Sequence, residues 1–239
     1  MPAERYYIPT PFDQGAKLVL EDQEHHHLAH VMRARQGEEL ELVNGQGQLA
    51  LAVIESLEKK RAVLLTLSVH TAPLPQKKII LAQGLPRLNR LEFILEKGTE
   101  LGVNEFWIFP AARSEKKELS QNQIDRVQTI TVAAMKQCGR LFLPKVVLMP
   151  ALKQWPPVPG FNSFFGDVRP TAPLFSHAWD QNPSLSEALF FVGPESGFTD
   201  EEVTLMERQG ASGVKLHHNI LRTDTAAIAA LSLLSHWML

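Results

Sequence analysis

Between residues 188 and 234 the chain twice passes from a short apolar segment through a polar, turn-forming loop into a helix, and this repeat constrains the fold more than any other feature. Residues 188–192 are an apolar run of the kind buried in a parallel sheet. Gly193 and Gly197 then free the backbone to turn and to approach a ligand closely. Thr199 followed by Glu202 is a capping box, so a helix starts there. Residues 213–216 rebuild a strand, 217–222 form a second polar turn, and 225–234 are a helix rich in small residues. The expected fold class is α/β, with the two loops leaving adjacent strand ends and facing one pocket.

The first loop, Gly193-Pro194-Glu195-Ser196-Gly197-Phe198-Thr199 with Glu202, fits neither the dinucleotide fingerprint nor the phosphate-binding loop. Together with Leu216, Ile220-Leu221-Arg222, Thr225 and Ala226 of the second loop, it resembles the signatures of the SPOUT methyltransferases. More narrowly it resembles the RsmE family, which methylates N3 of a uridine in 16S ribosomal RNA of the small subunit. That resemblance implies a trefoil-knotted α/β domain whose knot loops hold S-adenosylmethionine (SAM) in a bent shape, and it implies a homodimer. Three positions depart from the family wording: Ser196 replaces a glycine, Asp224 a glutamate, and His217 the glycine after Leu216. His217 puts a side chain where backbone is expected to lie against the cofactor.

The N-terminal third reads as a small β-rich unit. Residues 40–43 and 48–54 flank Asn44-Gly45, which predicts a type I′ hairpin, and 62–69 alternate as a further strand. Residues 22–35 suggest a short helix with Leu28, Val31 and Met32 on one face. The phrases RYYIP and HHLAHVMRARQGEELELVNGQG resemble the PUA-like barrel of the same family, an RNA-associated domain. The expected domains are 1–70, a PUA-like β-barrel; 71–76, a linker carrying Pro73 and Pro75; and 77–239, the knotted methyltransferase domain. His25, His26, His27 and His30 cluster, but only His26 and His30 share a helix face at metal-ligand spacing and no third ligand follows, so no metal is expected.

From residue 77 the pattern alternates: a strand at 77–83, a turn at 84–86, a helix at 88–101 ended by Gly102, and a strand at 105–109. The phrase at 97–103 resembles a third family signature, and its two readings are a helix end packed on the next strand and direct catalysis. Arg113-Ser114-Glu115-Lys116-Lys117 has the composition of a phosphate-contacting loop. A helix at 123–137 ends in Cys138-Gly139-Arg140, where Lys136 stands in for a family acid. Residues 155–160 read as a Pro-rich surface loop, and 162–166 and 172–176 as strand pieces, the latter running into His177.

The single cysteine, Cys138, excludes an internal disulfide and fits a reducing cytoplasm. No signal-peptide core occurs in 1–12, and the apolar run at 226–234 is too short to cross a bilayer. The formal net charge is −2, but residues 73–140 carry 11 Lys/Arg against 7 Asp/Glu, so a phosphate-contacting surface is expected in the middle third.

Methylating uridine N3 requires loss of its proton and alignment of the nitrogen with the methyl donor. Arg222 is the candidate to stabilise negative charge on O2 or O4, or to hold a phosphate. Glu195 and Asp224 are the candidate bases, with loop support or pairing to Arg222 as their alternative roles. The resemblance assigns cofactor contacts to Phe175, His177, Val192, Gly193, Pro194, Glu195, Gly197, Leu216, Ile220, Leu221 and Thr225. It assigns RNA contacts to Arg5, Arg33, Arg113 and Arg140. The alternatives are a SPOUT enzyme with another RNA target or atom, and a non-catalytic RNA-binding module whose pocket has decayed at Ser196 and His217.

Overall fold

The computed structural model describes residues 4–158, 160–181 and 186–238. The chain divides into two compact units, one of Met1–Leu74 with Val132–Leu143 and the other of Pro75–Thr131 with Pro144–Leu239. Residues 132–143 thus join the first unit, whereas a boundary at 71–76 leaves them in the second.

In the first unit, β1 (Arg5–Tyr7), β2 (Lys17–Glu21), β3 (Glu39–Val43), β4 (Gln48–Leu57) and β5 (Arg61–Thr71) form one sheet in the order β1-β3-β4-β5-β2. The β1–β3 pair is parallel and the others are antiparallel. Strand β5 alternates as a half-buried strand should, with Ala62, Leu64 and Thr66 turned inward. Two register shifts in β4 bend the sheet over a core of Tyr6, Leu20, Leu28, Leu42, Ile54 and Leu64.

The β3–β4 hairpin is present, but its turn is not type I′. That turn needs positive φ at both central residues, and Asn44 lacks it. Instead Asn44 Oδ1 accepts from the backbone N of Gln46 (2.8 Å) and of Gln48 (3.1 Å), organising a four-residue loop with Gly45 and Gly47 left-handed. The expected helix at 22–35 also differs. It is α1 (Asp22–His26) followed by a π-helical turn over His27–Val31, closed by Met32 N donating to His27 O. The wider turn rotates the anticipated stripe, so only Leu28 is buried while Val31 and Met32 face solvent. Residues 132–143 add to this unit through Lys136 Nζ on Glu24 Oε1 (2.6 Å) and through bonds from Gly47 N to Leu141 O and from Leu143 N to Gly45 O. The lysine at the family's acidic position therefore has a local carboxylate partner.

The second unit is a six-stranded sheet, every pair parallel, in the order β11-β9-β10-β6-β7-β8. Its strands are β6 (Lys78–Gly84), β7 (Glu105–Phe109), β8 (Lys145–Leu148), β9 (Asn162–Gly166), β10 (Glu187–Val192) and β11 (Ser212–Val214). Strands β6 and β10 read as continuous apolar runs because both faces are covered. Ile79, Leu81 and Phe190 belong to one core, and Ile80, Ala82, Leu189 and Phe191 to the other.

Among the described residues five α-helices belong wholly or partly to this unit: α2 (Leu88–Glu100), α3 (Gln121–Cys138), α4 (Phe175–Asp180), α5 (Asp200–Arg208) and α6 (Thr223–Trp237). Helix α6 packs on α2, β6 and β10 through Ala227, Ala230, Leu231 and Leu234. Gly98 in α2 is required by contact, since a Cβ there lies 2.7 Å from the Phe106 ring and 3.2 Å from Leu231. That places the 97–103 phrase in packing.

Two expectations in this unit are corrected. Residues 172–176 are not a strand: Leu174 makes one isolated bridge to Lys215 and α4 begins at Phe175. The strands preceding the two loops are not neighbours either, because β9 lies between β10 and β11. In the 155–160 loop Trp155 is buried, its Nε1 donating to Pro150 O, and Pro159 lies outside the described residues.

Candidate active site

All six strands of the second unit run the same way, so the loops after β6, β10 and β11 emerge at one edge of the sheet. The chain order changes direction between β6 and β10, the place where an open α/β sheet leaves a crevice for a ligand. Residues 193–199 occupy that position.

Gly197 N donates to Pro194 O (2.9 Å), closing a tight turn in this loop, and Gly197 has φ +67°. A Cβ on Gly193 would stand 3.2 Å from the Gly197 backbone, so glycine there lets the loop fold back on itself without the backbone having to give way. Ser196 carries no positive φ, which is why a residue with a side chain is accepted in place of the family glycine. The loop then enters α5 through the expected capping box: Thr199 Oγ1 accepts from Glu202 N, and Glu202 Oε2 accepts from Thr199 N (2.9 Å). The other oxygen of the buried Glu202 accepts from Ala112 N (2.8 Å), fixing the loop after β7 as well.

Glu195 and Asp224 come together, but not on Arg222. Arg90, in the first turn of α2, places Nε 3.2 Å from Glu195 Oε1 and Nη1 2.8 Å from Asp224 Oδ1. Glu195 Oε1 also accepts from Arg87 N (3.1 Å). The shorter Asp224 therefore reaches its cation without the extra methylene of the family glutamate. Each contact engages one oxygen of its carboxylate.

Beneath this ion triad lies Gln83, the one polar residue in the buried run of β6. Its Nε2 sits 2.9 Å from Gly84 O, 3.1 Å from Thr223 Oγ1, 3.2 Å from Gly193 O and 3.3 Å from Val192 O. Thr223 Oγ1 in turn donates to Gly193 O at 2.6 Å. Since every neighbour of the nitrogen is an acceptor, the amide orientation is fixed by its surroundings. Among the described residues the Oε1 atom is buried without a partner, a penalty of about 1–3 kcal/mol.

Arg222 precedes α6 and is exposed, with its carbonyl accepting from Ala226 N (2.7 Å). His217, His218, Asn219 and Ile220 are also exposed, Ile220 by 81 %. The imidazole of His217 does not plug the loop: its Nδ1 accepts from Asn219 N (3.0 Å), which turns the ring onto its own exposed segment. Leu216 and Leu221 are half-buried, Val192 and Pro194 are buried, and Thr225 is exposed. Phe175 is a core residue packed on Phe164, Phe190 and Trp237, whereas His177 is exposed on α4.

Of the residues assigned to RNA, Arg113 is exposed and donates to Ser196 O (3.1 Å), and Arg33 is exposed with φ +54°. Arg5 pairs with Glu41 (2.7 Å). Arg140 is half-buried, and burial pushes its guanidinium below the ordinary value. Lys117 spends its ammonium on Ala111 O and Ala112 O. Among the described residues no three His, Cys, Asp or Glu side chains are placed to hold a metal ion, and no helix is long and apolar enough to cross a membrane.

Sequence reasoning missed Arg90, Gln83 and Thr223. A signal existed for the first two. Arg90 is a cation in the first turn of a helix, against the macrodipole, and Gln83 interrupts an apolar strand; both are local inconsistencies of the kind found where function overrides stability.

Residues 72–235 match the family model described as RNA methyltransferase domain, and residues 20–67 the one described as RNA methyltransferase PUA domain. Ribosomal RNA small subunit methyltransferase E of Bacillus subtilis is 29% identical over 98% of this chain and 96% of its own. The protein of that name from Mycobacterium bovis is 30% identical over 99% of this chain and 94% of its own. Among solved structures, ribosomal RNA small subunit methyltransferase E from Neisseria gonorrhoeae bound to S-adenosyl methionine superposes with a TM-score of 0.86 at 28% identity, over 98% of both chains. The expected fold class is α/β with a small PUA-like β-barrel before the methyltransferase domain, and the fold found is α/β of that family, a PUA-like sheet followed by a parallel sheet.

Proposed function

The chain belongs to the RNA methyltransferase family that joins a PUA domain to a methyltransferase domain, and on that premise we propose that it transfers a methyl group from SAM to N3 of one uridine in 16S ribosomal RNA of the small subunit. The observation that carries this reading is the junction at the ends of β6 and β10. There a glycine loop is fastened to the start of α6 beside an exposed arginine.

The residues present fit such a cofactor. Gly193 and Gly197 leave loop backbone bare of side chains, and Leu216, Ile220 and Leu221 supply apolar side chains on the loop after β11. Val192, Pro194, Glu195 and Thr225 shape the same edge, with Phe175 supporting it from the core and His177 on the neighbouring helix α4. When bound, SAM supplies an electrophilic methyl on a sulfonium. The chain's part is to hold the uracil ring with N3 aimed at that methyl and to carry away the N3 proton. Arg222 stabilises the charge that develops on O2 or O4 as the proton leaves. Glu195 or Asp224 receives the proton on the oxygen that Arg90 does not engage. N3 lies on the Watson–Crick edge, so the target base must be unpaired or turned out of its stack.

Arg33, Arg113, Arg5 and Arg140 are assigned to RNA contacts. Arg33 and Arg113 offer exposed guanidinium groups; Arg5 and Arg140 act from partly buried positions. The enzyme acts as a homodimer in the cytoplasm, on RNA within the small subunit. The test is transfer of labelled methyl from SAM to small subunits and to free 16S ribosomal RNA, both from cells lacking this gene. Label in the subunit RNA supports the reading. No label in either substrate, with SAM binding intact, contradicts it.

A further inference from the structure

The loop after β10 and the first turn of α6 are separate in sequence, yet two independent sets of bonds tie them together. From below, the Gln83 amide reaches Val192 O, Gly193 O and Thr223 Oγ1, and Thr223 donates to Gly193 O. From above, Arg90 joins Glu195 to Asp224. Resting on the reading just given, we propose that Gln83 is a positioning residue for SAM binding: through Thr223 it sets the spacing between the Gly193 loop and the start of α6, with Arg90 closing the same gap at the surface.

Chemistry favours this role over simple packing. An apolar side chain of equal size in β6 would avoid the unpartnered Oε1 altogether, so the amide is a poor choice for the core alone. Its nitrogen, however, is a donor-only group that suits a nest of three carbonyls and a hydroxyl that is itself donating to one of them, which no apolar side chain does. A loop held at fixed spacing before the cofactor arrives loses less entropy on binding. A loosened loop must be ordered by the ligand itself.

The experiment compares the full chain with Gln83→Met, Thr223→Val, the double variant and Thr223→Ser. It measures SAM dissociation constants by calorimetry, kcat at saturating SAM, thermal stability, and amide exchange of residues 193–199 without cofactor. The clamp predicts that Gln83→Met and Thr223→Val each weaken SAM about tenfold, the scale of one buried hydrogen bond. The double variant loses no more than about threefold beyond the worse single, because both remove one linkage. Thr223→Ser, which keeps the hydroxyl, stays within about threefold of the parent, and kcat at saturation changes by less than about threefold. Exchange at 193–199 rises in Gln83→Met while β7 stays protected.

Unchanged SAM affinity in Gln83→Met, or fully multiplicative losses in the double variant, overturns the clamp. A fall in thermal stability without a change in the affinity of the folded protein also overturns it, since packing alone would do that. If the parent protein binds no SAM, the proposed function fails; the clamp is then decided by exchange, where unchanged protection at 193–199 overturns it and increased exchange supports it.

Discussion

Ser196, Asp224 and His217 mark where the two loops leave the family wording, and each is accommodated by its local geometry. Ser196 sits at a position without positive φ, so Ser196→Gly is expected to leave SAM affinity within about twofold, against an αL penalty of about 1–2 kcal/mol for Gly197→Ala. Thermal melts and calorimetry on the two variants check the contrast. The His217 ring turns onto Asn219 N, so His217→Gly is expected to change the SAM dissociation constant by less than about threefold, a loss no larger than one exposed hydrogen bond. An affinity gain of tenfold or more would show that the imidazole obstructs the cofactor. Arg222→Ala is expected to lower kcat by about 10²–10³ with SAM affinity nearly unchanged, as for removal of a group that stabilises developing charge. At this scale the motif residues were legible because each belongs to a contiguous phrase. Arg90 and Gln83 showed only as local inconsistencies and their roles were not legible, because their partners are 134 and 140 residues away in sequence.

At the scale of elements, the capping box does two jobs. Thr199 caps α5, while Glu202 also holds Ala112 N, so the loop after β10 and the loop after β7 share one carboxylate. Thr199→Ala is expected to cost about 1 kcal/mol of stability, measured by denaturant unfolding. Glu202→Gln keeps the shape but leaves a single acceptor, so one of the two bonds is replaced by a donor facing a donor. Glu105 offers a pH test. Burial raises its pKa, but bonds from Lys78 and Trp107 outweigh burial and hold the carboxyl below its ordinary value. A depressed acid contributes stability above its unfolded pKa and loses it as pH falls through the folded one. Unfolding should therefore become easier below about pH 4.5, and Glu105→Gln should reduce that dependence.

Long apolar elements such as β6, α2 and α3 could be read from periodicity and their terminators. The π-turn after α1 could not, since one widened turn leaves no compositional mark. Helix α4 was mistaken for a strand because Ala172 to Ser176 is short and apolar, and such runs carry no period.

At the scale of the whole molecule, each unit has its own core, yet the chain of the second is interrupted by a segment that completes the first. A fragment of 77–239 would separate Lys136 from Glu24 and strip residues 141 and 143 of their backbone partners at 45 and 47. It should melt at lower temperature than the same unit in the full chain. A fragment as stable as the parent would show that 132–143 needs nothing from the N-terminal residues. The proposed homodimer predicts a sedimenting mass near twice the 26.8 kDa of one chain. No strand order could be derived from periodicity, and the expected adjacency of the strands before the two loops was wrong; the fold class became legible through motif resemblance, which carries what local patterns do not.

The most direct test is mass mapping of 16S ribosomal RNA from a strain lacking this gene, before and after small subunits are incubated with the purified protein and SAM. The account predicts that one 3-methyluridine is missing before incubation and present after it. A methyl group recovered on a cytidine or on a ribose, or no recovery at all, would contradict it.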